Sequence, residues 1–234
     1  MLRKVWRRLV EHGFYLLYNE MAWSYDLVSW VVSLGEWRAW QRAALPFVAG
    51  ERVLEIAHGP GHMLLALARS GYHVVGLDLS PHMGRQARRR LSRAGFSLRL
   101  VRGTAQALPF AGGSFDTVVS TFPTAFILEP ATIAAVYRVL QPGGRLVVVP
   151  EGHLTGQGPL QRLINWLYVI TGQREGAFAV DAEASWPAAD APVWQAYQAR
   201  MARQGFRLAL ERQRRPRSLA TVLIAAKPPL KESG

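Results

Sequence analysis

The sequence predicts an α/β fold, with a seven-stranded, mostly parallel sheet, helices on both of its faces and an antiparallel strand at the C-terminus. Short apolar runs alternate with helical patterns between residues 53 and 149, and this alternation is typical of parallel strands joined by helical crossovers. Near the C-terminus, two further apolar runs are separated only by a basic turn at residues 214–217. Because so short a connection cannot form a crossover, those two strands must run antiparallel.

The individual elements follow from this alternation and from the signals at their ends. Ser80 precedes Pro81, which pairs a preferred N-cap residue with a proline suited to the first helical turn. The Pro-Gly-Gly triplet at residues 142–144 predicts a turn before the fifth strand. The predicted helices are residues 62–70, 81–94 and 133–140, and the predicted strands are residues 53–56, 74–77, 98–102, 117–121, 145–149, 208–213 and 220–226.

Two segments outside the alternating region are predicted to cover one edge of the sheet. Residues 1–48 begin with an apolar stripe at helical spacing beside several basic side chains, which predicts an N-terminal helical cap. Residues 49–234 then form one domain, with a lid insertion rich in Trp and Tyr at residues 152–205. Each segment could either pack on the domain or touch a membrane surface.

The composition limits the class of protein. Half of the 234 residues are hydrophobic, which is enough for a sizeable core, and no charge-free apolar run is long enough for a transmembrane helix. Cysteine is absent, which excludes disulfides and cysteine nucleophiles and favours a cytoplasmic protein. The net charge of +12 indicates either an anionic partner or solubility alone.

The stretch VLEIAHGPGH, residues 53–62, joins the first predicted strand to the first helix through a loop with two glycines. A triphosphate-binding loop would need a lysine followed by Ser or Thr, and this loop has neither at those places. A dinucleotide-binding loop would need a third glycine, but the residues from Gly59 are G-P-G-H-M-L. Glu55 ends the strand close to the loop and would repel a pyrophosphate. The loop therefore favours a ligand with positive charge or hydroxyl donors.

Asp78 supplies the second indication about the ligand. It ends the second predicted strand, about 20 residues after the glycine loop, where a carboxylate can accept both hydroxyls of a ribose. The two features together require a ribose without a phosphate. S-adenosylmethionine (SAM) satisfies this requirement, because it consists of a nucleoside, a sulfonium and an amino acid group.

With these residues the sequence resembles the class I SAM-dependent methyltransferases between residues 18 and 150. VLEIAHGPGH is similar to the first motif of that family, VVGLDLSPHM to the second, and GTAQALPFAGGSFDTVVS to the third and fourth. AWSYD at residues 22–26 and SLGEWRAW at residues 33–40 narrow the resemblance to the ubiquinone/menaquinone-biosynthesis C-methyltransferases. The resemblance implies a Rossmann-like sheet and methyl transfer from SAM.

The resemblance also implies contacts of the first loop with the methionine part of SAM. Gly59 and Gly61 would let the backbone pass beneath it, and Glu55 would orient the loop and accept from the amino group. Ala57 stands where most other methyltransferases have the first glycine, and Pro60 stands where the quinone family often has threonine.

The adenosine part of SAM would be bound by the residues after the next strands. Asp78 would bind the ribose, and Leu79 and Met83 would pack on the adenine. The third motif departs from the family in having a threonine where an acid or amide is usual. The remaining implied contacts are the adenine edge (Thr104, Ala105 and Gln106), the border of the methyl group (Thr121) and a cap over the site (Tyr25), for which a tyrosine in a helix core is an equal alternative.

The methyl acceptor is expected to be small and lipophilic, such as a quinol. The two aromatic-rich flanking segments are the only material available to roof a pocket beyond the carboxyl ends of the strands. His153, placed after the fifth predicted strand, is the candidate general base, with a surface histidine as the alternative interpretation. His58 and His62 are predicted to shape the glycine loop.

Several other functions remain open at this stage. A phospholipid or small-molecule N- or O-methyltransferase would need only alignment of its acceptor, and a non-catalytic SAM-binding protein would need none. A nucleic-acid methyltransferase is disfavoured, because residues 120–123 (Ser-Thr-Phe-Pro) do not match the loop typical of amine methylation in bases. No nucleic acid partner and no metal are expected, since no His, Asp or Glu cluster has metal-ligand spacing.

Overall fold

A seven-stranded sheet runs through the part of the chain that the computed structural model describes, residues 33–155 and 192–230. Its strands are β1 (Arg52–Ile56), β2 (His73–Asp78), β3 (Arg99–Arg102), β4 (Phe115–Thr121), β5 (Leu140–Leu154), β6 (Arg207–Arg215) and β7 (Ser218–Ala226). They lie in the spatial order β3-β2-β1-β4-β5-β7-β6. Neighbouring strands are parallel, except that β7 is antiparallel to both β5 and β6. The predicted sheet with its antiparallel C-terminal strand is confirmed.

Helices connect the strands and cover both faces of the sheet. They are α1 (Trp37–Arg42), α2 (His62–Arg69), α3 (Pro81–Arg93), α4 (Pro130–Val139) and α5 (Pro192–Arg203), and short 3-10 turns occupy Leu45–Phe47, Ala105–Ala107 and Ala125–Leu128. The predicted cap of α3 is present, because the Ser80 hydroxyl accepts from the Met83 N–H at 3.4 Å. In the described part of the chain, no helix is long and apolar enough to cross a membrane.

Apolar side chains of the strands alternate between two buried layers, one on each face of the sheet. In β1, Val53 belongs to one layer and Leu54 and Ile56 to the other, and all three are fully buried. The layer of Val53 is covered by α1, α2 and α3, and the layer of Leu54 by α4 and α5. Burying each such side chain stabilises the fold by roughly 1.5–3 kcal/mol. The alternation of apolar residues therefore determines on which face of the sheet each side chain lies.

β5 extends further than the sequence predicts. Its pairing with β7 shifts register between Val148 and Glu151 and then continues to Leu154. The prediction that His153 follows the fifth strand is therefore wrong: His153 lies inside β5 and pairs with Leu219, because the long antiparallel β7 prolongs the ladder.

The predicted turn and both ends of the predicted lid lie in regular secondary structure. The Pro-Gly-Gly triplet lies within β5 at an irregularity of its pairing with β4, where Gly143 has a φ of 81°. Residues 152–154 belong to β5 and residues 192–203 to α5, so these ends of the predicted lid are elements of the domain. The remaining lid residues 156–191 and the predicted cap before residue 33 lie outside the described residues.

Candidate active site

The loop after β1 is built from backbone conformations that few residues adopt. Ala57, Gly59 and Gly61 have φ values of 53°, 54° and 82°, in the left-handed region. A Cβ at Gly61 would lie 2.8 Å from the Cβ of Ala87 on α3, so only glycine lets α2 begin this close to α3. A Cβ at Gly59 would meet nothing within 4 Å, so the backbone there faces space that a ligand can approach.

The carboxylate of Asp78 joins two loops at the carboxyl edge of the sheet. Its Oδ2 accepts from the N–H of Gly59 and its Oδ1 from the N–H of Ser80, both at 2.8 Å. Each carboxylate oxygen has a second lone pair, so Asp78 can still accept hydroxyl donors from a ligand. The fold thus brings together the glycine loop and the acid that the sequence analysis singled out.

Glu55, near the end of β1, is a buried carboxylate with an unused oxygen. Its residue is 1% exposed, and Oε2 has no hydrogen-bond partner among the described residues. Burial raises the pKa of Glu55 well above its usual range, the Asp78 carboxylate adds to the rise, and a backbone hydrogen bond from Leu64 opposes it. An unsatisfied buried acceptor is costly, and the cationic amino group of SAM would satisfy it. The residues present therefore fit SAM.

Two further side chains fix the loop, and only the first was expected from the sequence. His58 is 3% exposed, and its Nδ1–H donates to the Gly59 carbonyl oxygen at 2.7 Å. Burial lowers the pKa of His58 although the Asp78 carboxylate acts to raise it, which favours the neutral ring. Arg90 of α3 donates to the Pro60 carbonyl oxygen. Nothing in the arginine run of α3 marks Arg90 for this contact, so the sequence carries no signal for it.

The surface predicted for adenine lies beside Asp78, but its two apolar residues differ. Leu79 is 60% exposed, whereas Met83 is 1% exposed. Leu79 therefore has surface available to a ring, and the contact predicted for Met83 is not available in this conformation. Thr104 is exposed before the next 3-10 turn and makes no side-chain cap bond, so its hydroxyl can face a ligand.

The neighbours of Thr104 are held more firmly. Ala105 is buried. The Gln106 amide donates to Oε2 of Glu129 at 2.8 Å, so Glu129, which the sequence analysis did not consider, orients the last residue of the predicted adenine edge.

β4 ends at a different kind of surface. Thr121 is 8% exposed, and its Oγ1 accepts from Nε2 of Gln41 on α1 at 3.3 Å. The next residue, Phe122, has a φ of 52° and stacks on Trp37 with ring centroids 4.0 Å apart. Trp40 meets the Phe122 ring edge-on, with centroids 6.3 Å apart. α1 therefore brings an aromatic cluster, consisting of Trp37, Trp40 and Phe122, to the end of β4.

His153 lies close to this surface but on the other face of the sheet. Its half-exposed side chain has Nε2 at 3.1 Å from Oε1 of Glu151. A Cβ at Gly152 would overlap the indole of Trp40. Because strand residues alternate between faces, His153 points away from Trp40, and the fold does not bring it directly against the aromatic cluster.

A cleft of about 580 Å³ opens at the opposite edge of the sheet. Its lining includes Arg52, His73 and Phe115, the first residues of β1, β2 and β4. Parallel α/β sheets bind ligands beyond the carboxyl ends of their strands, and this cleft lies at the amino ends. It contains none of the glycine-loop residues or the carboxylates described above. The carboxyl edge is therefore the candidate active site.

Two further sequence predictions about the site receive no structural test. Tyr25 lies outside the described residues. Among the residues that are described, no group of three His, Asp or Glu side chains could hold a metal ion, and the absence of a metal stays a prediction.

Comparisons with known proteins show which class of protein this chain resembles. A family model for a methyltransferase domain matches residues 53–144. The demethylmenaquinone methyltransferase of Thermus thermophilus is 35% identical over 208 residues, which cover 83% of this chain and 93% of that protein. The demethylmenaquinone methyltransferase of Renibacterium salmoninarum is 38% identical over 143 residues, but the match spans only 59% of each protein. An S-adenosyl-L-methionine-dependent methyltransferase fold from Methanococcus maripaludis has a TM-score of 0.62 at 16% identity, over 93% of this chain and 96% of that one.

The sheet order, the glycine loop and these matches define a SAM-dependent methyltransferase, an enzyme that takes SAM as its methyl donor. Within this class, the match over nearly the whole Thermus protein shows that the chain belongs to the demethylmenaquinone methyltransferase family. The resemblance found in the sequence is thereby confirmed.

Proposed function

We propose that this enzyme methylates a ring carbon of a small, lipophilic quinol. The observation that carries the proposal is the aromatic cluster at the end of β4, where Trp37 stacks on Phe122 beside Thr121. Stacked rings offer a large apolar surface with defined geometry, which suits a flat aromatic acceptor better than a small polar one. The names of the relatives in this family support the same acceptor class.

The family relationship argues against the other acceptors that the sequence left open. The Thermus and Renibacterium relatives are both named as demethylmenaquinone methyltransferases, not as phospholipid or nucleic-acid methyltransferases. The Renibacterium match spans only 59% of that protein, so the acceptor of the relatives is carried over to this chain only as a proposal.

Different residues of the chain would bind SAM and orient the acceptor. SAM supplies an activated methyl group, because a neutral thioether leaves. Glu55 would accept from its amino group, Asp78 from its ribose hydroxyls, and Leu79 would pack on its adenine. The half-buried rings of Trp37 and Phe122 would orient the acceptor ring and exclude water, with the buried Trp40 packed behind them. Alignment of this kind can lower a barrier by roughly 7–11 kcal/mol.

C-methylation of a quinol also releases a proton, for which His153 is the proposed acceptor. Nε2 of His153 faces Glu151, which leaves Nδ1 to take the proton while the carboxylate stabilises the imidazolium. Tyr197 is a poor alternative, because burial raises its pKa to about 12. The role of His153 requires that the acceptor reach across the end of β5 from the aromatic cluster.

A lipophilic acceptor gives the flanking segments a function. We infer that the predicted N-terminal cap and the remaining residues of the predicted lid, 156–191, enclose the acceptor. We also infer that the basic N-terminal segment makes peripheral contact with the membrane in which a quinol dissolves. The support is the charge and apolar pattern of the sequence.

Purified protein, labelled SAM and either a reduced demethylated quinone or phosphatidylethanolamine test the acceptor. We expect methyl transfer to the quinol, and a large loss of kcat for His153→Ala with little change in the Kd of SAM. Transfer to the amine lipid with no effect of His153→Ala would exclude the quinol and leave the fold assignment intact. Transfer to the quinol at an unchanged rate in His153→Ala would remove only the proposed base.

A further inference from the structure

We propose that a second site on this protein, a cleft between α1, α2 and α3, binds a phosphate group. The cleft measures about 250 Å³ and is lined by Arg38, Arg42, Arg69 and Arg90 together with Gln41. This arginine cleft lies beside the glycine loop, among the helices that cover one face of the sheet. The proposal does not depend on the identity of the methyl acceptor.

The fold converges these cations from three separate helices. Arg38 and Arg42 are one helical turn apart on α1, Arg69 ends α2, and Arg90 comes from α3. Neighbouring like charges repel each other, and no Asp or Glu lines the cleft. An ordinary charged surface mixes both signs, so the arrangement indicates an anionic ligand.

Three of the arginines have their guanidinium groups available. Arg38, Arg42 and Arg69 are exposed, and none of them makes an ion pair or side-chain hydrogen bond with the described residues. The planar guanidinium fork matches the oxygens of a phosphate in paired, charge-assisted hydrogen bonds. The cleft has room for a phosphate and a small part of the molecule that carries it, but not for a large ligand.

Two lining residues also reach the active site. Arg90 donates to the Pro60 carbonyl oxygen of the glycine loop, and Gln41 donates to Thr121 at the end of β4. Gln41 is 6% exposed, and its Oε1 has no hydrogen-bond partner among the described residues. A buried, half-satisfied amide that lines the cleft is a polar group that a ligand or its bound water can complete.

The phosphate could belong to a soluble metabolite or to the headgroup of an anionic phospholipid, and a single experiment separates the two. The full chain is tested with inorganic phosphate by calorimetry and by flotation with vesicles of phosphatidylglycerol or of phosphatidylcholine. The cleft variant is Arg38→Gln/Arg42→Gln/Arg69→Gln. The matched control is Arg88→Gln/Arg89→Gln/Arg93→Gln, which removes the same charge from exposed positions of α3 outside the cleft.

We expect the cleft variant to lose at least about tenfold in affinity, and the control to remain close to wild type. If the wild-type protein binds inorganic phosphate but is not retained on phosphatidylglycerol, and the cleft variant loses this binding, the ligand is soluble. If the wild-type protein is retained on phosphatidylglycerol, added phosphate reverses the retention and the cleft variant is not retained, the ligand is a lipid headgroup. Equal losses in both triple variants would show a general charge effect and overturn the proposal. Failure of the wild-type protein to bind either probe would overturn it as well.

Discussion

The two halves of the carboxyl edge are built in different ways. At the ends of β1 and β2, the site consists of backbone N–H groups, left-handed residues and the carboxylates of Glu55 and Asp78. At the ends of β4 and β5 it consists of large rings. Trp37 and Trp40 come from α1, outside the alternating strands and helices, and Phe122 directly follows β4. The first half is fixed by the loop geometry itself, whereas the second depends on a separate element that can vary without disturbing the sheet.

This contrast teaches where each kind of specificity resides. A half-site of backbone groups recognises a constant ligand, here SAM, and tolerates little change because its loop positions are set by φ values and close contacts. A half-site of side chains on an added helix can be altered to suit the acceptor. Substitutions in the two halves should therefore separate SAM binding from acceptor binding.

The largest effect is expected for Gly61→Ala. Its φ of 82° and the approach of Ala87 to 2.8 Å should cost about 2–4 kcal/mol of stability and abolish SAM binding. Gly71→Ala is the matched control, because Gly71 has a φ of 86° with no atom within 4 Å of a Cβ; it should cost about 1–2 kcal/mol. Denaturant titration and calorimetry measure both quantities. Equal losses in the two variants would mean that the contact with α3 is unimportant.

The next effect is expected for Asp78→Ala. Loss of this carboxylate removes the predicted ribose acceptor and also the partner of the Gly59 N–H, so binding of SAM and of S-adenosylhomocysteine should weaken by about 1–3 kcal/mol. Asp78→Asn keeps one acceptor oxygen for the loop, so its affinity for both ligands should lie between those of the wild-type protein and Asp78→Ala. Unchanged calorimetric affinity for both ligands would contradict the assignment of the ribose site.

Glu55→Gln should weaken SAM about tenfold, the scale of one hydrogen bond to a charged group. Because the pKa of Glu55 is raised in the folded protein, its contribution to stability is complete below the unfolded pKa and is lost as the pH rises through the folded one. Without SAM, the Glu55→Gln protein should therefore be more stable than the wild-type protein at high pH.

SAM affinity gives the second measurement on Glu55. A cationic amino group favours the ionised carboxylate, so wild-type affinity should rise with pH as Glu55 ionises, and the affinity of Glu55→Gln should not. Thermal unfolding and calorimetry over a pH series test both trends. If the two proteins show parallel pH profiles, Glu55 does not hold the amino group.

The smallest effect is expected in the acceptor half. Trp37→Leu removes the ring stacked on Phe122 and should raise the KM for the quinol about threefold to tenfold, the scale of an aromatic pair. The Kd of SAM should stay unchanged, since Trp37 lies in the acceptor half. A comparable loss of SAM affinity would break the distinction between the two halves.

The sequence by itself determined the sheet and most of the SAM half. Local apolar alternation and turn signals fixed the strands and helices, and the glycine loop and Asp78 are recognisable because each follows its strand directly. Backbone conformation near glycine is a local property. The loop that holds Gly59 and Gly61 was therefore identified without knowledge of any distant contact.

Only the tertiary structure decided the remaining features, because they depend on residues far apart in the chain. The length of β5 and the direction of His153 follow from pairing with β7, some seventy positions later. The hydrogen bond from Gln41 to Thr121 spans 80 positions, and that from Arg90 to Pro60 spans 30. A sequence pattern records periodicity within a segment, but which side chains of separate segments meet is set by the packing of helices on the sheet.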